Sequence, residues 1–271
     1  MNYWTQSAKN IFVAAHRGWM AKYPENTMEA FRAALTLDVD QLETDVRVTA
    51  DGELVLIHDA TVDRTTNGTG EVNNFTLAQL QALDAGSFKD PKFSGCRVPT
   101  MKEFMELVKD HPTITVDIEL KEYPTEGHEE IAYTTCDRVL AMLEEYGFKD
   151  RCVINTWDGK LHEYIQDKYG DSWKRHVYFP IGRLKNEMTR DPYPGAYCTC
   201  VFSPMKGIPI SDEDWELAVK CKEYSGVRLW AGTYAKDEES IDMAVRYGTE
   251  LITCNNPDEV LEILRAKGLH K

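Results

Sequence analysis

The chain has 271 residues, of which 42% are hydrophobic, and its formal net charge at pH 7 is −14. Chains of this length can bury a complete core, so we expect a single domain over residues 1–271. The acidic balance argues against nucleic-acid binding, which needs a basic surface. No segment of 18 apolar residues occurs, so we expect no stable insertion into a membrane.

The N-terminal residues and the cysteines indicate a cellular compartment. Residues 1–10 are polar and lack the basic and apolar segments of a signal peptide. The seven cysteines are scattered without a CxxC pair, which is typical of reduced, buried thiols. These features predict a cytoplasmic protein, unless a leader has been removed, and they give no oligomeric state.

Apolar, β-branched segments alternate with helical patterns along most of the chain, as parallel βα units do. The predicted strands are 11–15, 41–46, 54–57, 114–120, 153–156, 177–181, 197–202, 227–230 and 250–253. The predicted helices are 26–37, 100–110, 128–146, 159–169, 212–224, 238–247 and 257–266. The alternation predicts an α/β fold.

Nine predicted strands are one too many for an eight-stranded barrel. Asp51-Gly52 lies in the short connection between the second and third of them, and Asp-Gly is a hairpin signal. Parallel neighbours need a longer crossover. We therefore expect 54–57 to run antiparallel at the rim, leaving a (β/α)8 TIM barrel. A barrel-like fold with 54–57 parallel is the alternative.

The helix predicted over 26–37 has a defined start. Pro24 precedes it, Asn26 is the expected N-cap, and Glu29 follows three residues later, as in a capping box. The apolar residues that follow recur at helical spacing.

Residues 60–99 interrupt the alternation. They are rich in Thr, Asn, Gly, Asp and Lys, with one short amphipathic piece at 77–83. Long loops without secondary structure are uncommon in compact domains unless they serve a function. We expect a small insertion that lies over the C-terminal end of the barrel and narrows access to His58.

Several acidic residues lie toward the C-terminal ends of predicted strands. Barrel enzymes place their active groups at these strand ends. Glu43 and Asp45 alternate on one strand and so share a face. Glu119 lies on the strand 114–120, between Asp117 and Lys121. Three carboxylates facing one space would repel each other unless a cation neutralised them. This oxygen set suits Mg²⁺ or Ca²⁺, argues against zinc and is compatible with Mn²⁺.

Basic residues and histidines flank these carboxylates. Arg17 and Lys121 are candidate phosphate contacts, because the metal and three carboxylates alone would repel a phosphodiester. His16 and His58 follow two neighbouring strands and form a candidate acid/base pair. One would take a proton from the attacking oxygen, and the other would give one to the leaving oxygen.

Several short stretches, taken together, match the sequence pattern of a known protein family. They are His16-Arg17-Gly18, Pro24-Glu25-Asn26-Thr27, Glu43-Thr44-Asp45-Val46, Asp51-Gly52, Leu56-Ile57-His58-Asp59, Val98-Pro99-Thr100, Ile118-Glu119-Leu120-Lys121 and the segment 253–257. Over about residues 12–264 the sequence resembles the glycerophosphodiester phosphodiesterase family.

The resemblance implies a barrel with a small insertion after the second strand. It implies metal-dependent cleavage of a small-molecule glycerophosphodiester to glycerol 3-phosphate and an alcohol. The residues that it assigns are the metal ligands Glu43, Asp45 and Glu119, the acid/base histidines His16 and His58, the phosphate contacts Arg17 and Lys121, and the pocket tryptophan Trp230. Glu122 and Glu126 are either contacts for a cationic alcohol group or solvated loop carboxylates.

Two stretches depart from the family pattern. Thr156-Trp157 stands where the family often has Ser-Phe, and 253–257 reads Thr-Cys-Asn-Asn-Pro where Thr-Asp-x-Pro is common. Two alternative functions stay open: a phospholipase D-like lyase that acts on a lipid and releases a cyclic phosphate, and a non-catalytic barrel that binds a phosphodiester.

Overall fold

The computed structural model describes residue 4 and residues 10–186, 188–202 and 210–271. The strands are β1 Phe12–His16, β2 Gln41–Val48, β3 Leu54–Leu56, β4 Thr115–Leu120, β5 Cys152–Asn155, β6 Lys174–Phe179, β7 Cys198–Val201, β8 Arg228–Ala231 and β9 Leu251–Cys254. The helices are α1 Met28–Ala34, α2 Leu77–Gln81, α3 Met101–Val108, α4 Glu129–Glu145, α5 Gly159–Tyr169, α6 Asp212–Ser225, α7 Glu238–Arg246 and α8 Pro257–Ala266.

Eight of the strands form a closed parallel barrel in the order β1-β2-β4-β5-β6-β7-β8-β9. Strand β1 closes it by pairing with both β2 and β9. Helices cover the outside, and their apolar faces pack against outward-facing strand residues. The predicted TIM barrel is confirmed.

Strand β3 lies outside the barrel and pairs antiparallel with β2, with Val46 opposite Leu56 and Val48 opposite Leu54. Gly52 in the connecting turn has a φ of +85°, a left-handed conformation that favours glycine. The predicted rim hairpin is confirmed, and the alternative of a parallel strand is wrong.

The start of α1 differs from its prediction. The N-cap is Thr27, whose hydroxyl accepts from the Ala30 N–H at 3.3 Å, and no capping box with Glu29 forms. Asn26 has a φ of +55° and donates its side-chain amide to Asp45 Oδ2 at 2.8 Å. The predicted cap residue therefore supports the carboxylate cluster instead of the helix.

Strand β6 also differs from its prediction, because it begins three residues before Val177. Lys174, Arg175 and His176 are all polar or charged, so hydrophobicity does not mark them as part of a buried strand. In the barrel, however, His176 faces a polar interior, and only 2% of its surface is exposed.

Residues 60–99 contain α2, two 3₁₀ turns at Val72–Asn74 and Pro91–Phe93, and their own small apolar cluster. The Phe93 ring contacts Tyr23 at a centroid distance of 5.4 Å, and Lys89 Nζ donates to the Met20 carbonyl at 2.7 Å. Both partners belong to the loop after β1, so this segment lies at the C-terminal end of that strand. None of the helices in the described ranges combines the length and apolarity needed to cross a bilayer.

Candidate active site

A cavity of about 240 Å³ opens at the C-terminal ends of the barrel strands. Every strand of the barrel, or the loop that follows it, contributes to its wall. The lining residues are His16, Arg17, Glu43, His58, Asp117, Glu119, Lys121, Asn155, Trp157, His176, Tyr178, Cys200, Phe202, Thr233 and Thr253.

Three carboxylates meet at this cavity. One oxygen from each of Glu43, Asp45 and Glu119 lies within 4.8 Å of the others, and all three residues are buried. Glu43 Oε1 has no hydrogen-bond partner among the described residues. A buried, unpaired carboxylate oxygen is costly, so this arrangement fits a hard divalent cation with oxygen ligands.

Two cationic side chains lie against the carboxylates. Lys121 Nζ is 3.1 Å from Asp45 Oδ1 and also pairs with Glu119. Arg17 Nε is 3.1 Å from Asp45 Oδ2, and the Arg17 backbone N–H donates to Glu43 Oε2 at 2.8 Å. The structure therefore brings the two predicted phosphate contacts to the predicted metal ligands.

The carboxylates differ in proton affinity because their neighbours differ. Burial alone would raise the pKa of Asp45, but Lys121 and Arg17 outweigh it and hold that pKa well below its usual range. Burial and the adjacent Asp45 charge raise the pKa of Glu43 well above its usual range. A cation beside Glu43 would therefore stabilise its ionised form.

His16 lies at the end of β1, beside Glu43. Its Nδ1 is 2.6 Å from Asn255 Oδ1, so Nδ1 carries the proton and Nε2 presents a lone pair, 3.8 Å from Glu43 Oε2. Burial, and then the Arg17 charge, lower the pKa of His16 to about 3. Asn255, one of the residues that depart from the family pattern, thus fixes the tautomer of His16.

His58 follows the rim hairpin and is held by charged groups. Its Nδ1 is 2.6 Å from Asp59 Oδ1, while Arg64 Nε donates to Asp59 Oδ2 at 2.6 Å. Arg64 also binds Glu25, which accepts from Arg17 Nη1 at 2.8 Å. Burial lowers the pKa of His58, although Asp45 and Asp59 oppose this effect. A continuous chain of hydrogen bonds and ion pairs therefore links His58 to Arg17.

The backbone around Arg17 adopts an uncommon conformation. Arg17 has a φ of +54°, and the following Gly18 has a φ of +75°. A Cβ atom on Gly18 would lie 2.7 Å from the backbone of Ala30 in α1. Backbone conformations of this kind are often found at functional sites, and here they turn the Arg17 amide toward Glu43.

Aromatic rings form one wall of the cavity. Trp157 stacks on Tyr178 with a centroid distance of 3.4 Å and an interplanar angle of 7°, and Phe202 packs edge-on against Trp157. Trp230 lies deeper: it is 2% exposed, packs against His176 at a centroid distance of 5.1 Å and stacks on Trp4 at 6.5 Å inside the barrel. Trp157 and Phe202 line the cavity directly, and the role of Trp230 in the pocket stays a prediction.

Several polar residues of the cavity were not predicted as site residues. Among them are Asp117, Asn155 and His176. The alternation around Glu119 and the position of Asn155 at a strand end were visible signals, whereas His176 fell outside its predicted strand. Glu122 is buried, and its Oε1 is 3.6 Å from Arg47 Nη1, so a contact with a cationic alcohol group is not supported there.

Proteins of known sequence and structure resemble the whole chain. A glycerophosphodiester phosphodiesterase from Caldanaerobacter subterraneus is 34% identical over 264 residues, which cover 94% of this chain and 98% of the relative. A glycerophosphodiester phosphodiesterase from Agrobacterium tumefaciens has a TM-score of 0.72 at 24% identity, covering 94% of this chain and 99% of that one. An Oleispira antarctica phosphodiesterase, solved in complex with the product sn-glycerol-3-phosphate, has a TM-score of 0.76 at 22% identity, covering 96% and 100%.

The two solved structures support the fold, since their sequence identities to this chain are low. The sequence comparisons carry the assignment to a family. The model of the glycerophosphoryl diester phosphodiesterase family matches residues 16–259, which include every carboxylate, histidine and cationic side chain of the site described above. The chain therefore belongs to the glycerophosphoryl diester phosphodiesterase family.

Proposed function

We propose that this enzyme hydrolyses glycerophosphodiesters to sn-glycerol 3-phosphate and an alcohol in the cavity at the barrel mouth. The chain is a phosphodiesterase by family, so the non-catalytic alternative is dropped. The observation that carries the proposed site is the meeting of three buried carboxylates with two histidines and two cationic side chains in one cavity.

Glu43, Asp45 and Glu119 are the proposed ligands of a divalent cation, with Mg²⁺ or Ca²⁺ favoured by the oxygen-only set. When bound, such a cation supplies positive charge that stabilises a phosphate group in its transition state. Three carboxylates, two cationic side chains and a divalent cation leave one net positive charge. A phosphodiester monoanion would neutralise that charge.

Arg17 and Lys121 would bind the phosphate oxygens. In the structure both point at the carboxylates, and Arg17 is also held by Glu25 at 2.8 Å. Because these groups are fixed before the substrate enters, they need little reorganisation as charge develops on the phosphate. The ion pairs thus serve to orient the phosphate contacts.

The histidines would manage the two protons of the reaction. With its Nδ1 proton directed to Asn255, His16 offers Nε2 as the base that takes a proton from the attacking oxygen. His58, whose imidazolium form would be stabilised by Asp59, would donate from Nε2 to the departing alcohol oxygen. The attacking oxygen belongs either to water or to the neighbouring glycerol hydroxyl, and product analysis for a cyclic phosphate distinguishes these routes from each other.

The metal assignment is tested with Glu43→Gln. This change removes a ligand charge, so we expect it to abolish calorimetric binding of Mg²⁺ and Ca²⁺ and to reduce kcat by on the order of 10² or more. The control is Glu122→Gln, which removes a buried carboxylate that faces Arg47 and lies outside the triad. Unchanged cation binding by the Glu43 variant, or full turnover in excess chelator, would show that the assignment is wrong.

We also propose that the enzyme works in the cytoplasm. All seven cysteines are buried and unpaired, as is usual in a reducing compartment. Fractionation of the source cells, with an antibody to this chain, tests the location. Recovery in an extracellular fraction would contradict it.

A further inference from the structure

The inner end of the cavity is lined by polar groups that the reaction described above does not use. On β4, Asp117 precedes Glu119 by two residues and so lies on the same face, one pleat deeper in the barrel. His176 precedes Tyr178 by two residues on β6 in the same way. Asp117 is completely buried, and 2% of His176 is exposed.

Asp117 and His176 form a fixed pair. His176 Nδ1 donates to Asp117 Oδ2 at 2.8 Å. The His176 ring packs against Trp230 and Tyr178, each with a centroid distance of 5.1 Å. The orientation of the imidazole is therefore set from three sides, and the ring cannot turn without breaking buried contacts.

Each of these residues keeps a polar atom without a partner among the described residues. The atoms are His176 Nε2 and Asp117 Oδ1, and Asn155 Oδ1 on the neighbouring strand is a third. A buried polar atom without a hydrogen-bond partner is destabilising. Three of them around one cavity favour a ligand that brings hydrogen-bonding groups of its own.

A hydroxyl group has the chemistry that this arrangement needs. It can donate to an acceptor such as Asp117 Oδ1 or Asn155 Oδ1, and it can accept or donate at His176 Nε2 according to the protonation of the ring. Around this end the barrel interior is occupied by Trp230, which packs against His176 and stacks on Trp4. The inner end therefore suits a short, small polyol, while the open side near His58 suits an alcohol of variable size.

We propose that Asp117 and His176 bind the hydroxyl of the substrate's glycerol moiety that lies farthest from phosphorus. The inference rests on the proposed function, which places the phosphorus beside Glu43 and Glu119. From there the three-carbon chain would extend inward, so that its terminal hydroxyl reaches the pair one pleat deeper. His176 is then a residue that selects glycerol esters over phosphodiesters that lack this hydroxyl.

Two variants distinguish the role of Nδ1 from that of Nε2 in the His176 ring. In His176→Asn the side-chain amide can keep the hydrogen bond to Asp117, but nothing replaces Nε2. In His176→Gln the longer amide can reach the Nε2 position. The substrates are glycerophosphocholine and its analogue with propane-1,2-diol in place of glycerol, which lacks only the terminal hydroxyl and keeps the one next to the phosphate-bearing carbon.

We expect the wild-type enzyme to prefer glycerophosphocholine in kcat/KM by on the order of 10–100-fold. His176→Asn should remove this preference by slowing glycerophosphocholine only, and His176→Gln should restore part of it. The matched control is His162→Gln, which changes another buried histidine whose Nε2 binds the Thr156 carbonyl instead. This control should keep the wild-type preference. An equal loss on both substrates in His176→Asn would overturn the proposal.

A binding measurement tests the hydroxyl assignment independently of the proposed reaction. Calorimetry should show that the wild-type enzyme, with divalent cation present, binds sn-glycerol 3-phosphate more tightly than propane-1,2-diol 1-phosphate, by a similar factor. His176→Asn should bind the two equally. If the wild-type enzyme bound both equally, the hydroxyl assignment would be wrong. If it discriminated between the phosphates but cleaved neither diester, the proposed reaction would fail and the hydroxyl assignment would stand.

Discussion

At the scale of single residues, the two histidines are held by different kinds of partner. His16 faces a neutral amide, Asn255, whereas His58 faces a carboxylate, Asp59. A carboxylate stabilises an imidazolium and an amide does not stabilise it to the same extent. This difference supports His16 as the proposed base and His58 as the proposed acid, a division that the sequence pattern left open.

Replacement of Asp59 by Asn should shift one limb of the pH profile. The hydrogen bond that Asp59 accepts from His58 raises the pKa of His58, so its loss should lower that pKa. If His58 must be protonated to act, the alkaline limb of kcat/KM should move to lower pH, while the acidic limb stays. The control is Asp63→Asn, because Asp63 binds the Gly70 N–H instead of a histidine. A profile that does not move would contradict the role of His58.

Replacement of Gly18 by Ala should destabilise the protein more than the same change at Gly147. Both glycines have φ near +75°, which costs an alanine about 1–2 kcal/mol. At Gly147 a Cβ would meet nothing within 4 Å, whereas at Gly18 it would lie 2.7 Å from the Ala30 backbone. Overpacking of this kind adds about 1–3 kcal/mol. Urea denaturation measures both, and equal losses would refute the packing argument.

At the scale of elements, the barrel strands carry the carboxylates, and the segment 60–99 contributes an arginine to the ion pairs beside them. Arg64 from this segment binds both Glu25, in the loop after β1, and Asp59, in the loop after β3. It thereby connects the two loops that carry Arg17 and His58. We propose that the insertion acts in catalysis through this arginine, as a positioning group.

Arg64→Ala should therefore reduce activity without reducing stability. Loss of the link should misplace His58 and lower kcat/KM by on the order of tenfold. The free energy of unfolding should change by less than about 1 kcal/mol, because the Arg64 side chain is half exposed and Glu25 keeps its ion pair with Arg17. The matched control is Arg97→Ala, because Arg97 lies in the same segment but pairs with Glu103 of α3, away from the cavity. Equal activities of the two variants would show that the link has no positioning role.

The predicted and observed elements agree where the sequence carries a local signal. Strand order and the rim hairpin followed from hydrophobic alternation and from Asp51-Gly52, because both are local signals. The early start of β6 was missed, since the polarity of the barrel interior depends on which strands meet there. The interaction between Asp117 and His176 could not be predicted for the same reason, as it joins residues 59 positions apart in sequence.

At the scale of the whole molecule, charge is distributed unevenly. The chain has a net charge of −14, yet the cavity holds two cationic side chains: Lys121, which is buried, and Arg17, which is 12% exposed. An acidic surface keeps a protein soluble but repels an anionic substrate at long range. The cationic groups act only at short range, after the substrate has entered. Both candidate phosphate contacts lie at the cavity, where they pair with the carboxylates.

The last residues of the chain bind to the first barrel strand and support its closure. The Leu269 carbonyl accepts from the Ile11 N–H at 2.8 Å, and His270 Nε2 is 3.0 Å from Asp40 Oδ2. Asp40 Oδ2 also accepts from the Val13 N–H at 2.8 Å. The C-terminal tail is thereby fixed at the end of the barrel opposite the cavity.

This tail contact should make stability depend on pH. Burial would lower the pKa of His270, but Asp40 outweighs it and raises that pKa above 6.5. A raised pKa in the folded state means that the contribution is complete below about pH 6.5 and is lost as the pH rises through the folded-state pKa. His270→Gln should therefore cost more stability at pH 6 than at pH 8.5, by less than about 1 kcal/mol. Urea denaturation at both values tests this, and Asp40→Asn should give the same trend. A loss that is equal at the two pH values would show that the His270–Asp40 pair contributes no pH-dependent stability.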